Sequence, residues 1–139
     1  SVAISYDSRY MSKEFAIDTA CVFAQNGIKS YLVSELQPTP VLSYIVRELK
    51  CDVGIMITAS HNPASYNGYK VYGNDGCQVT SKMASDMKDC IDKHDFFGIA
   101  KMNFEEALNS GLVAYVPNDV IFNFTKEVQK TRLNKFNLA

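Results

Sequence analysis

The chain has 139 residues, 47% of them hydrophobic and 21% charged, the profile of one ordinary globular domain rather than of a disordered or fibrous chain. Fourteen Lys and Arg stand against fifteen Asp and Glu, for a net charge of −1, and the two signs are interspersed. That balance argues against a surface for nucleic acid or an anionic membrane and leaves small molecules or other proteins as the partners.

Val2 to Tyr6 is a short β-rich run, and from Ser12 the spacing predicts a helix with Phe15, Thr19, Val22 and Phe23 on one stripe, stopped at Asn26-Gly27. Lys29 to Ser34 reads as a second strand. Pro38 and Pro40 punctuate a loop, and Val41 to Lys50 returns to helical spacing through Leu42, Ile45, Val46 and Leu49. Asp52 to Ala59 is a nearly continuous apolar run, the pattern of a strand covered on both faces and expected at the centre of the sheet. Three β-α steps at this spacing predict an α/β fold with three layers, α/β/α, around a largely parallel sheet. The Asn67-Gly68 turn signal before Tyr69 to Gly73 adds an antiparallel or edge strand, so the sheet is expected to be mixed. Further on, Met83, Met87 and Ile91 mark a helix over 81–94, Phe104 to Leu108 a short one, and Val113 to Val116 a small strand. Asn118 is placed as the cap of a last helix, at about 118–139.

Cys21, Cys51, Cys77 and Cys90 are far apart, without a C-x-x-C pair or a His at zinc-ligand spacing, and read as reduced, mostly buried thiols. No basic segment followed by an apolar core opens the sequence, and no apolar stretch approaches the roughly 18 residues of a membrane span. The expectation is a cytoplasmic protein without a membrane partner. The sequence starts directly on a strand, which gives it the look of a piece of something longer.

Ligands of open α/β sheets bind beyond the carboxyl ends of the strands, and T-A-S-H-N-P, Thr58 to Pro63, lies at such an end. Asp7-Ser8-Arg9 ends the first strand comparably, and an arginine there suits a phosphate through its planar fork of donors. Ser60 is a candidate nucleophile, which needs a base or a good leaving group beside it. The flanks Thr58 and Asn62 do not make the G-x-S-x-G elbow of a hydrolase, although Ser60 with His61 keeps a serine hydrolase in view. Lys70, ten positions on and across a tight turn, can return over the serine as acid or base. Phosphoryl transfer through Ser60, with Arg9, His61 and Lys70 supplying charge or hydrogen bonds, is the sharp reading; ordinary turn chemistry and a solvated edge lysine are the plain one.

The stretch T-A-S-H-N-P-x-x-Y-N-G-Y-K-V-Y, Thr58 to Tyr72, closely resembles the phosphoserine loop of the α-D-phosphohexomutase superfamily. The continuation to Gly76 is most similar to its phosphoglucomutase/phosphomannomutase branch. Tyr6 to Arg9, Pro38-Thr39-Pro40 and the Val53 to Thr58 strand extend the likeness over nearly the whole chain, as the first of the family's four domains. The resemblance implies Ser60 as the phosphoryl carrier, His61 as its active-site neighbour, Lys70 as general acid/base and Arg9 as an arginine near the phosphoserine. It also implies Asn62, Asn67 and Tyr69 as substrate contacts, hexose phosphates and hexose 1,6-bisphosphate as partners, and Mg²⁺ as cofactor, met by Ser60 through its phosphate. The family's metal-binding D-G-D-x-D-R loop and its domains 2 to 4 are not found in this sequence, so the chain alone is expected to be inactive. The alternative is a non-catalytic sugar-phosphate-binding or interaction domain that keeps the fold.

Overall fold

The computed structural model describes residues 1–95 and 97–133. Along the chain run β1 (Val2–Tyr6), α1 (Ser12–Gln25), β2 (Ser30–Leu32), α2 (Thr39–Glu48), β3 (Val53–Ile57), β4 (Tyr69–Gly73), α3 (Ser81–Ile91), α4 (Phe104–Asn109), β5 (Val113–Tyr115) and α5 (Asn118–Lys130). The strands form one sheet in the order β4-β3-β1-β2-β5, parallel except for β4, which runs antiparallel to β3 at the edge. Helices α1 and α4 cover one face; α2 and α5 cover the other. The expected three-layer α/β/α architecture with a mixed, largely parallel sheet is the one observed.

All five residues of β1 are buried, and β1, not β3, is the central strand. The apolar run of β3 reads as central because β3 is also interior, paired on both sides and covered on both faces. A one-dimensional pattern does not distinguish the middle strand from its neighbour.

Helix α1 departs from its predicted stripe. Its buried face is Ser12, Ala16, Ala20 and Ala24, spaced four apart, with Cys21 beside them, while Phe15 is 45% exposed. Small side chains let the helix axis come close to the sheet, and that close approach turns the bulkier Phe15-Thr19 side outward. Helix α2 keeps to expectation, burying Val41, Leu42, Ile45 and Val46, with Pro40 in the first turn where its missing N–H costs nothing. Each fully buried Leu or Ile of this layer contributes about 1.5–3 kcal/mol of burial free energy. The helix predicted over 81–94 ends at Ile91 and buries none of its residues, leaving Met83 46% exposed. A groove of about 580 Å³, lined by Phe23, Ile55, Val71, Met87 and Ile91 among others, separates α3 from the sheet and reaches Lys70. At α5 the N-cap is Pro117 rather than Asn118, which is already the first helical residue. Residues 134–139, the end of that predicted helix, lie outside the described residues. Cys21 and Cys51 are buried, but Cys77 and Cys90 are exposed, so the thiols are divided rather than mostly buried. Among the described residues no helix is long and apolar enough to cross a membrane.

This sheet puts the ends of β1 and β3 side by side. Tyr6 is paired with Ile57, and the Asp7 N–H donates to the Ile57 carbonyl at 3.2 Å. The loops that follow the two strands therefore leave the same edge together. The packing behind them tolerates no extra atom: a Cβ on Gly54 of β3 would lie 2.6 Å from Val46 Cγ2 and 3.2 Å from Tyr72 Cβ. Gly54→Ala is expected to lower the unfolding free energy by about 1–3 kcal/mol through overpacking, read as a reduced urea midpoint with unchanged m-value.

Candidate active site

Two loops make the site: Asp7 to Met11 after β1, and Thr58 to Gly68 between β3 and β4. Asp7 opens the first. Its Oδ1 accepts from the Arg9 N–H at 3.1 Å and from Ser12 Oγ at 3.0 Å, and its Oδ2 accepts from Arg9 Nε at 3.2 Å. The first of these bonds closes an Asx turn, the usual device by which an aspartate folds its own backbone two residues on. Burial pushes the Asp7 carboxyl up, but hydrogen bonds from the Thr58 hydroxyl, the Arg9 backbone and Ser12, together with the Arg9 charge, outweigh it and hold the group below its ordinary value.

Arg9 spans the gap to the second loop. Its Nη1 donates to the carbonyls of Pro63 at 2.8 Å and Tyr66 at 3.2 Å, and its Nη2 donates to the carbonyl of Ser60. With Nε on Asp7, every nitrogen of a guanidinium whose side chain is only 10% exposed is engaged. The arginine is thus brought to Ser60 as expected, but it faces the loop's backbone rather than open space for a phosphate. Asn67 completes the stitching: its Nδ2 donates to Ser12 Oγ at 2.8 Å and to the Tyr10 carbonyl at 3.1 Å, and its Oδ1 accepts from the Gly68 N–H. Its amide is committed to loop closure. Gly68 is where the returning chain passes the serine strand, and a Cβ there would lie 2.7 Å from the Thr58 carbonyl oxygen.

Ser60 sits at the tip, exposed, with φ 55. A non-glycine residue in this left-handed region stores roughly 1–3 kcal/mol of strain, held only where the surroundings over-determine it. Its N–H donates to Thr58 Oγ1 at 3.0 Å, and Lys70 Nζ donates to its Oγ at 2.6 Å. Lys70 is carried on β4, whose antiparallel register sets it opposite Met56. The ten-residue separation in sequence becomes a direct contact because the chain doubles back.

His61 and Asn62 follow Ser60 on the exposed side of the loop. Tyr69 goes elsewhere, toward α1, where it lines a hollow with Phe15, Thr19 and Phe23. Its hydroxyl end is desolvated there and pushed up to about 12, against a smaller lowering by a hydrogen bond with Thr19, although 53% of the residue's surface remains exposed. Among the described residues no three His, Cys, Asp or Glu side chains cluster to hold a metal ion.

A family described as phosphoglucomutase/phosphomannomutase, alpha/beta/alpha domain I, matches residues 1–97. The chain belongs to this family. That span takes in β1 to α3, with every site residue named above. A phosphoglucomutase of Staphylococcus saprophyticus is 38% identical over 130 residues, covering 93% of this chain and 24% of its own. A "Probable phosphoribomutase" of Schizosaccharomyces pombe is 45% identical over 93 residues, 67% of this chain and 16% of its own. A solved structure assigned as a phosphomannomutase, from Thermus thermophilus, superposes with a TM-score of 0.62 at 35% identity over 63% of this chain and 20% of that one. This phosphoglucomutase/phosphomannomutase domain I thus spans about a quarter or less of the relatives it matches.

The sequence assigns roles to Ser60, His61, Lys70 and Arg9, but gives none to Asp7, Ser12 or Thr58. The signal for Asp7 was present, since Asp two residues before a loop N–H at a strand end is an Asx-turn pattern. Ser12 meets Asn67 across the two loops, and Thr58 takes its role from the fold of its own loop, which turns the Ser60 N–H back onto its hydroxyl. Because Asp7's folded pKa is depressed, its contribution to stability is complete above the unfolded value of about 3.9 and is lost as pH falls through the lower folded value. Asp7→Asn is therefore expected to be less stable than the parent at neutral pH, with the gap closing as both are acidified, as measured by urea titrations across pH.

Proposed function

We propose that the chain is the phosphoserine-bearing first domain of a longer, cytoplasmic hexose-phosphate mutase, interconverting hexose 1-phosphate and hexose 6-phosphate through hexose 1,6-bisphosphate. The observation that carries this reading is the 2.6 Å hydrogen bond from Lys70 Nζ to Ser60 Oγ, made at a strained serine on the carboxyl edge of parallel strands.

In the forward half-reaction the P–Oγ bond of phosphorylated Ser60 breaks as a P–O bond forms to the free hydroxyl of a hexose monophosphate. The sugar hydroxyl loses a proton and Oγ gains one. Lys70, already donating to Oγ, is the group placed to deliver it, and in the return step to take it back. Arg9 keeps Oγ in place by holding the loop's carbonyls. His61 and Asn62, exposed beside Ser60, are the groups that meet the incoming sugar phosphate. Asn67 serves through the loop it closes, and Tyr69 from the flank of the site.

A magnesium ion supplies charge neutralisation at the phosphoryl oxygens when bound. The described residues do not by themselves build its site; phosphorylated Ser60 would offer it an oxygen, and domains 2 to 4 would supply the remaining ligands. A hydrolase reading is disfavoured because the side-chain partner of Ser60 Oγ is Lys70 rather than His61. A binding or sensor domain has no use for the Lys70–Ser60 pair.

The test is phosphate incorporation from glucose 1,6-bisphosphate with Mg²⁺ into the full-length protein, followed by peptide mapping. One phosphate on Ser60 is expected. Lys70→Met should slow incorporation by about 10²–10⁴-fold, the usual range for losing a general acid/base, while circular dichroism stays unchanged. A folded protein left unmodified at Ser60 would sink the mutase reading. The 139-residue chain alone is expected to show no turnover of glucose 1-phosphate in a coupled assay; measurable turnover would refute its dependence on further domains.

A further inference from the structure

Ser60 is held at both ends of its own backbone. On the amino side its N–H donates to Thr58 Oγ1 at 3.0 Å, and on the carboxyl side its carbonyl accepts from Arg9 Nη2. The second hold leads back to a carboxylate: Asp7 Oδ2 accepts from Arg9 Nε and so orients the guanidinium. Thr58 is 5% exposed, so water does not readily replace its hydroxyl. Between the two holds lies a serine at φ 55, a region that a side-chain-bearing residue leaves when nothing restrains it.

We propose that Asp7 and Thr58 are positioning residues that hold Ser60 in its left-handed backbone conformation and so aim its hydroxyl at Lys70. Neither touches the reacting oxygen. Thr58 acts through the Ser60 N–H, and Asp7 acts through Arg9. If Ser60 relaxed toward the extended region, its Cα–Cβ bond would swing away from β4 and the 2.6 Å contact with Lys70 would open. A displacement of about 1 Å in a reacting group is enough to cost on the order of 100-fold in rate.

The kinetic consequence rests on the reading of Ser60 as a phosphoryl carrier, while the conformational one does not, so two readouts are combined. The variants are Thr58→Val, which keeps the shape and removes the hydroxyl, Thr58→Ser, which restores it, and Asp7→Asn, which removes the charge should the valine fail to fold. In full-length protein labelled with ¹³C and ¹⁵N at serine, with Ser60→Ala identifying the resonance, the Ser60 shifts and amide-to-Hα coupling report φ. Phosphate incorporation from glucose 1,6-bisphosphate reports the rate. The expected result is a left-handed Ser60 in the parent and in Thr58→Ser, and a released Ser60 in Thr58→Val and Asp7→Asn. In those two, incorporation should slow by about 100-fold with little change in KM for the donor and an intact circular dichroism spectrum. A Ser60 that stays left-handed in both variants would overturn the proposal, as would a released Ser60 phosphorylated at the parent rate. A parent that takes no phosphate while its variants still release Ser60 would instead overturn the mutase reading and support the positioning roles.

Discussion

The arrangement depends on one partly buried cation facing carbonyl oxygens across two loops. Arg9 extends from the end of β1, is oriented by Asp7, and donates to the carbonyls of Ser60, Pro63 and Tyr66. A guanidinium is suited to this because its five N–H donors lie in one rigid plane, so ordering it against several acceptors costs less conformational freedom per bond than ordering a lysine would. The paired Asp7 carboxylate offsets much of the cost of withdrawing the charge from water. A partly buried arginine with only neutral carbonyls for company would be poorly compensated.

The sheet turns that interaction into a site. Adjacent parallel strands β1 and β3 deliver their loops to the same edge in fixed register, and the close-packed layers behind them give that register little room to slip. On the α1 side the alanine face brings the helix near the sheet; on the α2 side Gly54 accepts Val46 and Leu42. A stiff base of this kind is what allows an exposed serine to stay in a strained backbone conformation. The strain at Ser60 is local, whereas the bonds opposing it come from both loops.

The division of labour among the polar residues follows from where each hydrogen bond ends. Arg9 and Asn67, whose bonds tie one loop to the other, define loop shape. Lys70 makes its one side-chain bond to the Ser60 hydroxyl. His61 and Asn62 remain open to solvent beside the serine. An arginine near a nucleophile is easily read as a phosphate ligand, and here its immediate partners are carbonyls.

Local pattern sufficed for much of this protein. The β-rich runs, the α2 stripe, the Asn67-Gly68 turn and the T-A-S-H-N-P motif are short-range signals, set by side-chain periodicity and backbone preference within a few residues, and they carried the fold class, the edge strand and Ser60 with Lys70. Other features needed the third dimension. Which strand is central, which side of α1 is buried and what Arg9 grips all depend on neighbours distant in sequence. Arg9 and Ser60 are 51 positions apart, and Asn67 and Ser12 are 55 apart. No periodicity encodes such a pair: a hydrogen bond requires its two atoms to meet within about 3 Å, and only the packed sheet brings them there.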